Sequence, residues 1–214
     1  MAAANKKPLA RWKFGKSAST EAPSPTAQRI SAHLAEYPVI RLLGPVGEEM
    51  VRSYLSQFEA ISKNRKKIFV CELTTFGGKA DYGYRIAEEI RLAREYYEKD
   101  PIFLGKTFVY SAGMTILAAF PRNRRYLTKH TTLLTHERRI EEEVKFMGPL
   151  VANIQVAKEI LADFENGKRI QNQNFSQLIA GSNVPLPEIL KKAETGWYIT
   201  AEEALKRKLV EGLL

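Results

Sequence analysis

An α/β domain with a mainly parallel sheet is predicted by three observations. Strand-type apolar runs alternate with segments of helical spacing from Val39 to the C-terminus. KKIFVCELTT (66–75) is nearly continuously apolar at its centre, as in a strand covered on both faces. Two strand-to-helix junctions carry glycine, one at Gly77-Gly78 and one around Ser111-Ala112-Gly113.

The elements follow in order. Residues 1–28, closed by EAPSPT, are expected to be a disordered basic extension, with one ordered domain over 29–214. Val39–Leu43 is a short strand ended by Gly44-Pro45, and Met50, Val51, Tyr54, Leu55, Phe58 and Ile61 have helical spacing. After the 66–75 strand and Gly77-Gly78, Ile86, Ile90, Ala93 and Tyr97 mark one face of a second helix. IFLGKTFVY (102–110) is the next strand, Ser111 turns it into a small-residue helix, and RYLTKHTTLLTHE (125–137) reads as further strand. Residues 147–166 return to helix, followed by a polar, interrupted connection over 166–187 and a last helix–strand unit around ITAEEALKRKLVEGLL.

Composition narrows the function classes. With 33 Lys and Arg against 24 Asp and Glu, the chain carries +9. Five of those cations (Lys6, Lys7, Arg11, Lys13, Lys16) lie in an acid-free first twenty residues, and Arg122, Arg124, Arg125 and Lys129 form another cluster. No aromatic–basic motif, zinc ligand set or recognition helix accompanies them, so a solvated tail and a basic loop are expected rather than nucleic-acid binding. The single Cys71 lies in a strand, which suits core packing and a reducing, cytoplasmic setting. No apolar run approaches the roughly 20 residues that span a bilayer, and no signal-peptide core is visible.

Chemistry concentrates at the two junctions. Backbone N–H groups at Gly77-Gly78, ahead of a helix, form a site for an anion. Ser111 is either the cap of the helix it begins or a nucleophile exposed at the end of a strand, and the two roles share one helix N-terminus. A nucleophilic serine needs a base. His33 is near the loose end, His130 sits within the strand run, and His136 ends LLTH, where a side chain can reach a cleft.

From Val39 onward these pieces resemble the Clp protease proteolytic subunit, within the wider ClpP/crotonase superfamily. VIRLLGPVGEEMVRSYLSQFEAI is similar to the family's opening strand–Gly–helix unit, and ELTTFGGKADYGYRIAEEIR to its Gly-Gly element. YSAGMTILAAFPRNRRYLTKHTTLLTHE resembles the nucleophile helix and histidine strand, and WYITAEEALKRKLVEGLL the closing segment. The resemblance implies repeated β-β-α units and a protruding handle helix. It also implies Ser111 as nucleophile, His136 as base, and the amides of Gly78 and Ala112 as oxyanion donors. Laying Ala-Gly-Met over the family's Ala-Ser-Met would put Gly113 at the nucleophile. The Ser111–His136 separation and the position of Arg125 match the family only with Ser111.

Several positions depart from the pattern. Direct alignment places Gly196 where the family has its aspartate, so Glu194 is the expected third member, with Asp163 a remoter one. Phe76 replaces the proline before Gly-Gly, Tyr110 the alanine before the nucleophile, and ERRIEEE (137–143) the glycine-rich substrate strand.

The reading implied is a serine endopeptidase acting on peptides or unfolded proteins inside a homo-oligomeric ring. No cofactor or metal is expected, and ATP would be used by a partner unfoldase. Alternatives are an impaired paralogue that structures a mixed ring and a crotonase-type acyl-CoA enzyme.

Overall fold

The computed structural model of the chain describes residues 34–140 and 143–214. The expected extension over residues 1–28, and His33 with it, lie outside them.

Strand β1 (Val39–Leu43) lies parallel to β2 (Ile68–Thr75), which lies parallel to β3 (Asp100–Tyr110). The intervening helices are α1 (Glu48–Ser62) and α2 (Ala80–Glu95). α1 starts at Gly47 with Glu48 and Glu49 in its first turn, where carboxylates favour the helix dipole. It buries Met50, Val51, Tyr54, Phe58 and Ile61 against the sheet. α2 buries Ile86, Ile90 and Ala93 as expected, but stops before Tyr97, whose ring instead meets Phe58 edge-on at 5.3 Å. Cys71 is fully buried in β2, and burial pushes its thiol up to about 12, so it is inert core.

β3 organises the rest. Its first half pairs with β4 (Arg125–Leu127) and its second with β5 (Thr132–Thr135), both parallel. Between the halves, Thr107 takes φ +61° and the register against β2 shifts, the local distortion that bends a strand. This division breaks the single 125–137 strand read from the sequence. Thr128–Thr131 forms a turn in which the Thr131 hydroxyl donates to the Gly105 carbonyl at 3.0 Å, and His130 is exposed on that turn rather than within a strand.

After β3 comes α3 (Ala112–Ala118); α4 (Leu150–Ile179), α5 (Leu186–Thr195), β6 (Trp197–Thr200), α6 (Ala201–Lys206) and β7 (Gly212–Leu213) complete the chain. β6 pairs antiparallel with β5, and β7 closes on β4. The sheet of the described residues is thus parallel at every other pairing, as predicted.

α4 is much longer than the sequence suggested. The polar stretch after Asn166 does not interrupt it, although Gly167 costs a helix about 1 kcal/mol relative to alanine. Tertiary contacts override propensity there: Asn174, Phe175 and Leu178 are buried, and Arg125 takes the carbonyls of its last turn. The N-terminal part stands away from the domain as a handle, with Leu150, Val151, Ile154, Leu161 and Phe164 all exposed.

The arginine cluster is not a solvated loop. Arg122 pairs with Glu211 at 2.7 Å, and Arg124 donates from Nε to Asp100 Oδ1 at 2.9 Å. Arg125 is only 2% exposed. Its guanidinium donates to the carbonyls of Phe120 (2.8 Å), Leu178 (2.6 Å), Ala118 (3.2 Å), Gln177 (3.3 Å) and Leu209 (3.3 Å). One side chain therefore ties together the ends of α3 and α4 and the C-terminal segment.

Candidate active site

Ser111 leaves β3 with φ +53° and ψ −117°, a backbone conformation that L-residues rarely occupy. Its hydroxyl makes no capping bond, so the simple cap reading of this serine does not hold. The turn is over-determined from three sides. Ser111 N–H donates to the Leu134 carbonyl of β5 at 2.9 Å, and Met114 N–H donates to the Ser111 carbonyl at 2.8 Å. On the third side Gly77 lies so close that a Cβ there would be 2.6 Å from Ser111 Cβ. Gly113, the other position weighed for the nucleophile, is packed inside α3. A side chain there would meet Thr75 Cγ2 at 2.5 Å.

The Gly77-Gly78 turn is held by Val46. Val46 N–H donates to the Gly77 carbonyl, and Lys79 N–H to the Val46 carbonyl, both at 2.9 Å. Gly78 has φ +150°, and a Cβ on it would fall 2.3 Å from the Val46 oxygen, so only glycine fits. Its own N–H takes no part in that bridge. Ala112 is the first residue of α3, where helix amides have no internal acceptor. Gly78 and Ala112 line the same cleft as Ser111 and His136, a space of about 800 Å³. Lys79, Arg138 and Arg139 bring positive charge to it, and Asp81 and Glu137 negative charge.

His136 follows the last residue of β5 and is half-buried. Its Nδ1–H donates to the Glu137 carbonyl at 2.6 Å, which leaves Nε2 with its lone pair. No Asp or Glu among the described residues forms an ion pair with His136, and no hydrogen bond joins it to Ser111 in this unliganded state. Glu194, the expected third member, is exposed near the end of α5 and does not line the cleft. Asp163 is exposed on the handle. Gly196, where direct alignment puts the family's aspartate, has φ +88°, a conformation suited to glycine.

Two departures noted in the sequence prove to be coupled. Phe76 and Tyr110, beside the Gly77-Gly78 turn and Ser111, are in ring contact at 5.8 Å. Phe108 stacks on Phe76 at 3.8 Å, and Tyr198 meets Tyr110 edge-on at 5.7 Å. The bulky residue at each position thus packs on the other.

Sequence reasoning missed the residues that brace the segment after His136. Arg138 Nη2 donates to both oxygens of Asp81, at 2.9 and 3.2 Å, and Arg138 N–H donates to Gln171 Oε1. Gln171 fell within a stretch read as a connection, so nothing placed it on a helix facing the site. At the cleft, Asn174 Nδ2 donates to Thr115 Oγ1 at 3.0 Å. Among the described residues no His, Cys, Asp and Glu cluster could hold a metal, and no helix is long and apolar enough to cross a membrane.

Comparison with known proteins agrees with this fold. The family model described as Clp protease matches residues 22–214. The ATP-dependent Clp protease proteolytic subunit 3 of Rhizobium etli is 23% identical over 192 residues, covering 89% of this chain and 90% of that protein. Its namesake from Rhizobium johnstonii is 24% identical over 191 residues, with the same coverage of 89% and 90%. Among solved structures, a ClpP1 point mutant from Listeria monocytogenes superposes with a TM-score of 0.67 at 15% identity, over 86% of this chain and 95% of that one. A motif set in family order, a mostly parallel sheet with a handle helix and a family match over most of the chain agree, and the chain belongs to the Clp protease family.

Proposed function

We propose that the chain is a ClpP-like serine endopeptidase, with residues 29–214 as its peptidase domain. The strained, non-capping turn at Ser111 carries this reading. A serine held in such a conformation and aimed into a cleft with a histidine is the arrangement expected of a nucleophile.

Ser111 Oγ attacks the scissile carbonyl carbon while His136 Nε2 takes the hydroxyl proton. Charge developing on the carbonyl oxygen meets the N–H groups of Gly78 and Ala112. Collapse of the tetrahedral species breaks the C–N bond, and His136 returns the proton to the leaving amine. His136 then deprotonates a water that attacks the acyl carbonyl, and as the Oγ–C bond breaks it returns that proton to Ser111 Oγ, releasing the acid product. The Ser111–His136 hydrogen bond, absent in the unliganded state, forms when substrate binds, as catalytic bonds are commonly long or unformed in free enzymes.

Substrates are peptides or unfolded proteins in the cytoplasm, and the subunits enclose a chamber as a ring. The exposed apolar stripe of the handle supports assembly, since an oligomer would cover it. The relatives' names speak of an ATP-dependent protease, which suggests an unfoldase partner as the consumer of ATP.

A fluorophosphonate probe is the direct test. It is expected to label Ser111 in assembled protein and to lose that label in Ser111→Ala. Absence of labelling in folded, assembled wild type would remove the peptidase reading and favour the structural subunit of a mixed ring. The specific observation on that side is the lack of a carboxylate paired with His136 among the described residues.

For Glu194 the expectation is a neutral result. Because a main-chain carbonyl already holds Nδ1–H, Glu194→Gln should keep the peptide hydrolysis rate within about twofold. A loss approaching the roughly 10⁴-fold seen when a triad carboxylate is neutralised would instead install Glu194 as the third member.

A further inference from the structure

We infer that Gln171 is a positioning residue for the general base, acting on His136 through a single peptide plane. The inference rests on the Ser111–His136 reading above.

The peptide joining Glu137 to Arg138 is planar and trans, so its C=O and N–H point in opposite directions and turn together. Its carbonyl accepts the His136 Nδ1–H at 2.6 Å, and its N–H donates to Gln171 Oε1 at 2.5 Å. Any rotation that weakens one bond weakens the other. Gln171 is half-buried on α4 and lines the cleft, so it is held by the helix rather than by the segment it braces. One residue on, the Arg138 side chain pairs with Asp81 of α2, and its Cδ lies 3.9 Å from where a Cβ on Gly167 would stand. The segment after His136 is therefore clamped between two helices.

The chemistry gives this clamp its role. A serine–histidine pair needs an acceptor on Nδ1–H to hold the imidazole in the tautomer whose Nε2 can take the serine proton. Where a carboxylate supplies that acceptor, its own side chain sets the orientation. Here the acceptor is a main-chain oxygen, which no side chain of its own can aim. The group that aims it is on the far side of the plane, in the Gln171 amide.

Two substitutions separate acceptor from bulk. Gln171→Met keeps the length and removes the acceptor, and Gln171→Glu keeps an acceptor in the same place. Gln171→Met is expected to lower kcat for a fluorogenic peptide about 10- to 100-fold with KM within about twofold, while Gln171→Glu stays within about twofold of wild type. With ¹⁵N-histidine labelling, long-range ¹H–¹⁵N spectra should show neutral His136 as the Nδ1–H tautomer in wild type and in Gln171→Glu, and as a mixture in Gln171→Met. A Gln171→Met protein with wild-type kcat and unchanged tautomer overturns the inference. So does Gln171→Glu falling as far as Gln171→Met, which would assign the effect to packing. If the tautomer responds as expected but Ser111 never labels with fluorophosphonate, the peptidase reading fails and the positioning role stands.

Discussion

Replacing Ser111 by alanine is expected to reduce peptide hydrolysis by at least about 10³-fold, and His136→Ala to reduce it by a similar factor. The double variant should be no slower than either single one. In the proposed mechanism proton transfer from Oγ to Nε2 is one event, so removing either end removes all of it. What survives is the contribution of the Gly78 and Ala112 amides and of substrate binding, which neither substitution touches. Initial rates on a fluorogenic peptide with the three variants decide the matter. Losses that multiply, or a His136→Ala protein keeping more than about a tenth of the activity, would break the pairing. A companion variant reads the strain. Ser111→Gly is expected to abolish hydrolysis but to relieve φ +53°, which costs a non-glycine residue about 1–3 kcal/mol, so its thermal midpoint should rise. A fall in that midpoint would mean that the serine's own contacts, and not catalysis, justify the conformation.

Arg125→Met is expected to destabilise the protein by about 3–5 kcal/mol. The guanidinium is buried and serves five carbonyls from three segments. Methionine fills similar volume but removes the guanidinium from all five oxygens, of which that of Gln177 keeps the Ala180 N–H at 3.4 Å, and an unsatisfied buried acceptor costs about 1–3 kcal/mol. Burial, helped by nearby Arg122, lowers the Arg125 pKa to about 10, so the group stays charged at neutral pH and its bonds remain charge-assisted. Arg125→Lys should recover little of the loss, because an ammonium cannot present the planar fork that reaches α3, α4 and Leu209 together. Urea midpoints at one fixed protein concentration test this, fixed because assembly also shifts apparent stability. A loss below about 1 kcal/mol would show that water or a shifted backbone replaces the arginine.

These two residues mark what could be read in advance. Ser111, His136, Gly78 and Ala112 were legible because each belongs to a short segment with its own signal: a strand end, a Gly-Gly turn, a helix start. Strand–helix alternation likewise predicted the parallel sheet, since burial on both faces writes itself as continuous apolar runs. Arg125 matched a basic position of the family, but nothing local marked it as buried. Beside Arg122, Arg124 and Lys129 it reads as surface charge, and only its five distant acceptors make it core. The part of α4 beyond Asn166 was hidden for the same reason, because Gly167 and a run of amides argue locally against a helix that burial of Phe175 and Leu178 and the bonds from Arg125 stabilise.

By itself the sequence determined the fold class, the strand–helix alternation up to α3 and four of the residues that line the cleft, all set by local periodicity, turn chemistry and motif. Only the tertiary structure decided how His136 is held. The acceptor on its Nδ1 is a main-chain oxygen, and a carbonyl has no letter in the sequence. The side chain that aims it, Gln171, comes from a helix distant in sequence, so its role exists only once α4 packs beside the cleft.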